Sequence, residues 1–317
     1  MNDEAKIWFE IKNNDIIKRD VEKVMEIIVG KSSGFCYGVK RAVESAEKDA
    51  SKVKENIYCL GEIVHNSDVV NSLSQKGIIF VENIDEIPKD STVIIRAHGV
   101  TKSIYEKAKE KNIEIRDYTC PNVLKIHKIA QEYADKGYFI VLLGSRKHPE
   151  NIGTVSYCGE HYFVVQDESQ IYLAVDEINR CNFNKVLVIA QTTFGIEDFA
   201  VFTEILSNEL YRTVELVIEN TICQTTEIRQ KETEELSKSV DCMIIVGGKN
   251  SSNTHKLFDI AKSNCDKTIC IENVRELQFS DLGIKEMDNK SDIRIGIMAG
   301  ASTPRKSIDE VMEWLKS

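Results

Sequence analysis

Short runs of β-branched apolar residues alternate with stretches of helical periodicity along most of the chain. This alternation is typical of α/β proteins with parallel sheets. The runs come in three sets of four, at 25–29, 57–60, 78–81 and 92–95; at 113–116, 139–143, 162–165 and 186–190; and at 214–218, 242–246, 268–271 and 293–298. The pattern therefore predicts three small sheets, each of four mainly parallel strands.

Each set carries the same three polar turns, and every one of these turns follows the carboxyl end of a strand. The first turn holds one cysteine, in GFCYGV, DYTCPNV and NTICQTT, and leads into a helical pattern. The second turn begins 29, 28 and 28 residues after that cysteine, in HNSDVV, HPENIG and SSNTHK. The third turn follows the fourth strand, in AHGVTKS, QTTFGIED and AGASTPRKS.

Self-similarity in a fixed order predicts tandem structural units. We expect an N-terminal extension at 1–24, to which no role is assigned, and three similar α/β domains at 25–112, 113–213 and 214–317. The ligand crevice of an open α/β sheet lies outside the carboxyl ends of its strands. Three domains arranged around a pseudo-threefold axis would bring all nine turns to one central site.

Composition and charge exclude several classes of protein. With 42% apolar and 29% charged residues, the chain has the composition of a globular protein. Its net charge of −10 and the absence of a basic stripe argue against binding of nucleic acid. The longest apolar run, Tyr138 to Leu143, is far shorter than the roughly 20 residues that cross a bilayer. Residues 1–23 are charged throughout and lack the apolar core of a signal peptide, so we expect a cytoplasmic protein without a membrane partner.

The nine cysteines form no CxxC pair, and their odd number argues against a disulfide framework. Six of them have an unremarkable setting in apolar strands, near helix ends or in loops, and are expected to be structural: Cys59, Cys158, Cys181, Cys242, Cys265 and Cys270. The other three occupy the repeated first turn: Cys36, Cys120 and Cys223. Three converging thiolates with one open coordination position suit a 4Fe-4S cluster better than a closed zinc site. Three unrelated buried thiols remain the alternative.

The second and third turns hold hydrogen-bonding residues: His65, His98, His148, Glu150, Thr192, Thr193, Ser251, Ser252, Asn253 and Ser302. Serine and asparagine at helix starts could be simple N-caps. Together with helix N-termini and histidines, they also suit an anion such as a diphosphate. Glu150 would be the single carboxyl group in that pocket. Burial near an anion should raise its pKa, which would make it a proton donor.

The motifs GFCYGVKRAV, EIVHNSDVV, RAHGV, TCPNV, HPE, QTTF, TIC, GGKNSSNT and AGASTP occur in this order between about 25 and 317. In these motifs the chain resembles the 4-hydroxy-3-methylbut-2-enyl diphosphate reductase family. The resemblance implies the last step of the non-mevalonate isoprenoid pathway. In that step two electrons and two protons remove the allylic hydroxyl as water, which gives isopentenyl and dimethylallyl diphosphate.

The resemblance also implies roles for particular residues. Cys36, Cys120 and Cys223 would hold the 4Fe-4S cluster, whose fourth iron meets the substrate hydroxyl. Residues expected to bind the substrate are His65, His98, His148, Thr192, Ser251, Ser252, Asn253 and Ser302. Glu150 would deliver a proton beside a hydrogen-bonded Thr192, and His148 would join these two as a catalytic residue.

Some features depart from the family or leave its partners open. Tyr37 stands where a small residue is common after the first cysteine, and Arg96 places a cation two residues before His98. No GxGxxG nucleotide fingerprint occurs, so electrons are expected from a separate ferredoxin or flavodoxin. Two other functions stay open from the residues. One is a 4Fe-4S hydro-lyase or quinolinate-synthase-like enzyme, and the other is a metal-free α/β protein that binds a small anion.

Overall fold

The structure is a computed structural model, and it describes residues 7–11, 23–52, 56–282 and 292–317. The strands within these ranges are β1 (Ile7–Ile11), β2 (Lys23–Val29), β3 (Ile57–Leu60), β4 (Ile78–Val81), β5 (Thr92–Ile95), β6 (Glu114–Asp117), β7 (Phe139–Leu143), β8 (Tyr162–Val165), β9 (Lys185–Ala190), β10 (Glu215–Ile218), β11 (Cys242–Val246), β12 (Thr268–Ile271) and β13 (Asp292–Ala299).

Helices follow or separate nearly all of these strands. They are α1 (Tyr37–Lys52), α2 (Ser67–Gln75), α3 (Lys102–Glu110), α4 (Pro121–Asp135), α5 (Pro149–Val155), α6 (Ser169–Arg180), α7 (Ile196–Glu209), α8 (Gln224–Ser237), α9 (Ser252–Asn264) and α10 (Arg305–Lys316). No helix within the described ranges combines the length and the apolar character that a bilayer crossing needs.

The strands form three sheets with one common order. The first sheet is β4-β3-β5-β6, the second is β8-β7-β9-β10 and the third is β12-β11-β13-β2-β1. All neighbouring strands are parallel except β1 and β2. The strands that precede the three cysteines, β6, β10 and β2, occupy the same place in each sheet. The predicted α/β fold with three mainly parallel sheets is therefore confirmed.

The predicted grouping of the strands is wrong in one respect, because the first strand of each set belongs to a different sheet. The run at 113–116 forms β6, which pairs with β5, and the run at 214–218 forms β10, which pairs with β9. The run at 25–29 lies in β2 and pairs with β13 at the other end of the chain. Helical connections precede and follow both β6 and β10, so the sequence pattern identifies the strands but not their partners.

The third sheet has five strands rather than the predicted four. Part of the predicted N-terminal extension forms β1, which pairs antiparallel with β2 in a register that places Ile7 opposite Ile27. Residues 1–6 and 12–22 of that extension lie outside the described residues. β1 therefore covers the edge of β2, whereas the equivalent strands β6 and β10 are the outermost described strands of their sheets.

The chain divides into two compact units, and each has its own core. Residues 37–223 contain the first and second sheets, whereas 1–36 together with 224–317 contain the third sheet. The central strands β7 and β11 are buried along their whole length, as expected for sheets covered on both faces. The three domain boundaries and the pseudo-threefold arrangement stay predictions.

Candidate functional site

The three repeated cysteines share a backbone contact within their own sheets. Each cysteine N–H donates to a carbonyl oxygen in the third polar turn of that sheet: Cys120 to Ala97 at 2.9 Å, Cys223 to Thr192 at 3.0 Å, and Cys36 to Ala301 at 3.2 Å. A helix begins directly after each cysteine. The three turns are thus structurally equivalent, as the sequence spacing predicts.

The unit formed by 37–223 brings further groups to two of these thiols. A side chain at Gly38 would place its Cβ 2.6 Å from the Cys120 Sγ, so only glycine allows the first turn of α1 to approach this thiol. The Asn122 amide donates to the Cys223 Sγ at 3.0 Å. Neither residue stands among those predicted from the sequence, although the glycine two positions after Cys36 in GFCYGV is a visible signal.

The three repeated cysteines are more exposed to solvent than most of the other six. Cys36, Cys120 and Cys223 are partly exposed, whereas Cys59, Cys158, Cys242 and Cys265 are buried. Burial raises the pKa of Cys59, Cys158 and Cys242 to about 12, so these thiols stay protonated. The predicted structural role of Cys59 and Cys242 in the core is confirmed, and Cys270 is half-buried.

Three histidines from the turns after β3, β5 and β7 meet within the unit formed by 37–223. The ring centroids of His65 and His98 are 4.6 Å apart and the rings are stacked, and His148 lies 5.4 Å from His98 and 5.8 Å from His65. One ring nitrogen of each lies within 4.8 Å of the others. The expectation that these turns converge is confirmed for the three histidines.

The environment of the trio disfavours positive charge on two of the rings. Burial, the neighbouring histidines and the Arg96 guanidinium hold the pKa of His98 well below its usual value. Burial, His65 and Arg96 lower the pKa of His148 to about 4. Both rings are therefore neutral at pH 7.

The hydrogen bond at His148 distinguishes between an anion and a metal ion as the partner of the trio. His148 is the N-cap of α5, and its Nδ1 accepts the Glu150 backbone N–H at 3.2 Å. An accepting Nδ1 in a neutral ring leaves the ring proton on Nε2, which is then a donor. A metal ion bound to Nε2 would require the ring proton to be on Nδ1. That proton would then face the Glu150 backbone N–H, which is also a donor. His148 is thus suited to an anionic acceptor.

The Glu150 carboxylate is buried and accepts two hydrogen bonds from Thr192. Its side chain is 2% exposed, its Oε1 accepts the Thr192 N–H at 2.6 Å, and its Oε2 accepts the Thr192 hydroxyl at 2.6 Å. Burial raises the pKa of Glu150 to about 7, although the two bonds from Thr192 act in the opposite direction. The expected contact between Glu150 and Thr192 is confirmed, and a carboxyl group of this pKa can donate a proton near neutral pH.

Neighbouring polar residues fix the two loops that carry this pair. The Asn151 amide donates to the Ser145 carbonyl at 2.9 Å and to the Gln191 Oε1 at 2.8 Å, and the Gln191 amide donates to the Thr193 hydroxyl at 2.7 Å. Of these residues, only Thr193 stood among the candidates from the sequence. Asn151 directly follows the HPE motif and Gln191 is the first residue of QTTF, but neither was predicted as a site residue.

The other predicted substrate-binding residues lie in the unit formed by 1–36 and 224–317. Ser251 caps α9 and accepts the Thr254 N–H at 3.3 Å, and Ser252 begins that helix. Ser302 is buried in the turn after β13. Asn253 is 4% exposed, and both polar atoms of its amide lack a hydrogen-bond partner among the described residues. A buried amide without partners is unfavourable and points to a polar ligand.

The LytB protein family model matches residues 27–316, which is most of the chain. The chain belongs to the LytB family. The 4-hydroxy-3-methylbut-2-enyl diphosphate reductase of Caldanaerobacter subterraneus subsp. tengcongensis is 42% identical over 297 residues, which cover 92% of this chain and 97% of that protein. The reductase of the same name from Clostridioides difficile is 40% identical over 293 residues, which cover 92% of this chain and all of that protein.

Two solved structures resemble this LytB family member. One is that of (E)-4-hydroxy-3-methyl-but-2-enyl diphosphate reductase, described as the terminal enzyme of the non-mevalonate pathway. It has a TM-score of 0.65 and 36% identity, and the match covers 92% of this chain and 98% of the other. The other is the E-1-hydroxy-2-methyl-but-2-enyl-4-diphosphate reductase from Plasmodium falciparum. It has a TM-score of 0.82 and 30% identity, with coverage of 93% and 88%.

The raised pKa of Glu150 predicts a pH dependence of stability in this LytB family member. Its pKa is about 7 in the folded chain and ordinarily 4.5, so the folded state retains a proton that the unfolded state releases. The free energy of unfolding should therefore decline between pH 4.5 and 7, by about 3 kcal/mol in total for this group. Urea unfolding of metal-free wild type and Glu150→Gln across this range measures the decline. Only wild type should show this contribution, and parallel pH curves would contradict it.

Proposed function

We propose that this chain is a 4-hydroxy-3-methylbut-2-enyl diphosphate reductase. It removes the allylic hydroxyl of its substrate as water, with two electrons and two protons, and forms isopentenyl and dimethylallyl diphosphate. Membership in the LytB family and the names of its relatives support this activity. The observation in the structure that carries the proposal is the buried carboxyl group of Glu150, two residues after His148. Thr192 donates two hydrogen bonds to it.

The cysteines fit the iron–sulfur cluster that this chemistry requires. Three partly exposed thiols follow equivalent strands and share the same backbone contact. The Asn122 amide donates to the Cys223 Sγ, as it would to a thiolate, and Gly38 leaves space beside Cys120. We propose that Cys36, Cys120 and Cys223 ligate a 4Fe-4S cluster with one iron open to substrate. When bound, the cluster would supply single electrons and Lewis acidity toward the hydroxyl.

Glu150 supplies a proton in this proposal. At pH 7 its carboxyl group is close to half protonated, because its pKa is about 7. Thr192 restricts both carboxylate oxygens, so Glu150 is held in one orientation. Burial also excludes water that could otherwise exchange the proton.

The diphosphate of the substrate is assigned to neutral donors. His148 offers its Nε2 proton, and the Nδ1 of His98 is buried without a partner among the described residues. Asn253 offers a buried amide. The full set that we propose for binding the substrate comprises His65, His98, His148, Thr192, Ser251, Ser252, Asn253 and Ser302. Binding of this remote group orients the reacting hydroxyl.

The electrons come from a separate carrier in this proposal, because the sequence contains no GxGxxG nucleotide fingerprint. We propose a ferredoxin or flavodoxin as that carrier. Its identity does not alter the roles assigned to the residues above.

An anaerobic assay tests the proposed function. Protein purified without oxygen should be brown, absorb near roughly 400 nm and hold about four irons per chain. It should oxidise reduced viologen only when 4-hydroxy-3-methylbut-2-enyl diphosphate is present, and both isoprenoid products should be detected by mass spectrometry. Loss of water without viologen oxidation would instead indicate a hydro-lyase. A colourless protein that only binds the diphosphate would indicate an anion-binding protein.

Replacement of Asn253 by leucine should separate stability from ligand binding. Leucine has a similar volume and removes the buried amide, so the free energy of unfolding should rise by about 1 kcal/mol. Affinity for inorganic pyrophosphate should fall by about 10- to 100-fold, as measured by calorimetry. Asn264→Ala, at an exposed position of the same helix, is the control. Unchanged pyrophosphate binding in Asn253→Leu would remove this residue from the proposed site.

A further inference from the structure

The loop that joins β2 to Cys36 is held by a glutamate from α8. The Glu232 carboxylate accepts the backbone N–H of Lys31 at 2.5 Å and that of Ser32 at 2.8 Å, and it also accepts the Ser32 hydroxyl. One side chain therefore satisfies two successive backbone donors of the loop. Bonds to an ionised acceptor are stronger than those between neutral groups.

An arginine one turn earlier on α8 holds the carbonyl groups of the same loop. Arg229 donates from Nε and Nη2 to the Ser32 carbonyl oxygen, at 2.8 and 2.5 Å, and from Nη2 to the Gly34 carbonyl oxygen at 2.7 Å. The side chain is 1% exposed and is the largest fully buried one among the described residues. A buried guanidinium is costly unless its donors are used, and its planar fork suits two neighbouring acceptors.

The remaining contacts leave this loop little freedom. A Cβ at Gly30 would lie 2.0 Å from the Met298 Sδ, so the loop passes too close to β13 for any side chain there. The Ser33 hydroxyl accepts the Ala299 N–H at 3.1 Å. We call the pair Arg229 and Glu232 the α8 clamp.

The equivalent loops of the other two cysteines are held differently. Asp117 accepts the Thr119 N–H at 2.9 Å through its side chain, and Asn220 accepts the Ile222 N–H at 3.0 Å in the same way. Both are short local turns that end immediately before the cysteine. In the Cys36 loop the equivalent position is Ser33, whose hydroxyl is engaged with β13 instead. The other two loops also have contacts from another element, since Arg41 of α1 donates to the Thr119 carbonyl oxygen at 2.6 Å and the Thr221 hydroxyl bonds to the Ala190 backbone. In the Cys36 loop, side chains of α8 bind the backbone N–H groups as well as the carbonyl groups.

We propose that Arg229 and Glu232 are positioning residues that hold the Cys36 thiol where it can ligate the cluster. The ligand role of Cys36 rests on the proposed function, whereas the hold on its loop rests on the contacts above. α8 begins one residue after Cys223, so the helix that follows one proposed ligand carries the clamp for another. No motif in the sequence marks this pair.

Alkylation of the metal-free full-length chain tests the clamp without reference to the cluster. The variants are Arg229→Lys, whose ammonium group cannot replace the fork, and the milder Glu232→Gln, which keeps one acceptor. Glu235→Gln, exposed on the same helix, is the matched control. Iodoacetamide labelling of each cysteine is followed by peptide mass spectrometry. We expect labelling of Cys36 to accelerate about three- to tenfold in both clamp variants, with Cys120 and Cys223 unchanged.

The labelling experiment has outcomes that contradict the proposal and one that supports it. Unchanged labelling of Cys36 in both variants overturns it. Equal acceleration at the buried Cys242 and Cys265 also overturns it, because the clamp would then support the whole unit rather than one loop. Selective labelling of Cys36, with faster loss of iron to a chelator from reconstituted variants, supports it. A wild type that takes up no iron refutes the proposed function, while the labelling still decides the clamp.

Discussion

Replacing Glu150 by glutamine is expected to reduce turnover by about 10²- to 10⁴-fold, the usual contribution of a general acid. The substitution removes the ionisable proton but changes the side-chain volume little. Thr192 can still donate its N–H to the amide oxygen at this position. Steady-state oxidation of reduced viologen under anaerobic conditions measures the loss, and the iron content and visible spectrum should stay at the wild-type values.

Two comparisons make this result specific to proton delivery. Glu160→Gln changes an exposed carboxylate beyond the end of α5 and should leave turnover unchanged. Affinity of Glu150→Gln for inorganic pyrophosphate should also be close to that of wild type, because the diphosphate is assigned to other residues. Near-normal turnover in Glu150→Gln would show that another group delivers the proton.

Serine substitution of Cys36, Cys120 or Cys223 is expected to abolish turnover and to remove most of the bound iron. A serine hydroxyl is a much poorer ligand for iron–sulfur clusters than a thiolate. The three positions should behave alike because their turns share one backbone contact. Iron analysis and the absorbance near roughly 400 nm measure the effect after anaerobic reconstitution.

Cys181→Ser provides the matched control, since this cysteine is exposed and lies outside the repeated turns. It should keep both iron and activity. Full iron content in any one of the three proposed ligand variants would exclude that cysteine from the ligand set. Normal circular dichroism of the variants would show that iron loss does not follow from unfolding.

The number and type of the sheets could be predicted because apolar runs with β-branched residues signal buried parallel strands directly. Strand partners could not be predicted in the same way. β6 and β10 have helices on both sides, and β2 pairs with a strand 268 residues away at Arg294, opposite Glu26. The periodicity of apolar residues does not show which strands pair when they are so far apart in the sequence.

The candidate site, too, could be predicted from the sequence only in part. The polar turns identified His65, His98 and His148, because residues after parallel strands collect at one sheet edge. The contact between Thr192 and Glu150 followed only from the family resemblance. The proton position on His148 and the role of Gly38 depend on local geometry, and Arg229 looks like any charged residue of an ordinary helix until its burial is known.

The pairing of β2 with β13 has a consequence for biosynthesis. Cys36 leaves the ribosome long before residues 292–299, and the strand that leads to it gains its parallel neighbour only after those residues have been translated. The carbonyl group that accepts the Cys36 N–H belongs to Ala301, even closer to the C-terminus. By contrast, Ala97 and Thr192, which accept the N–H groups of Cys120 and Cys223, are translated before those cysteines. Under the proposed ligand set, we therefore expect iron loading only in chains that have been translated beyond Ala301.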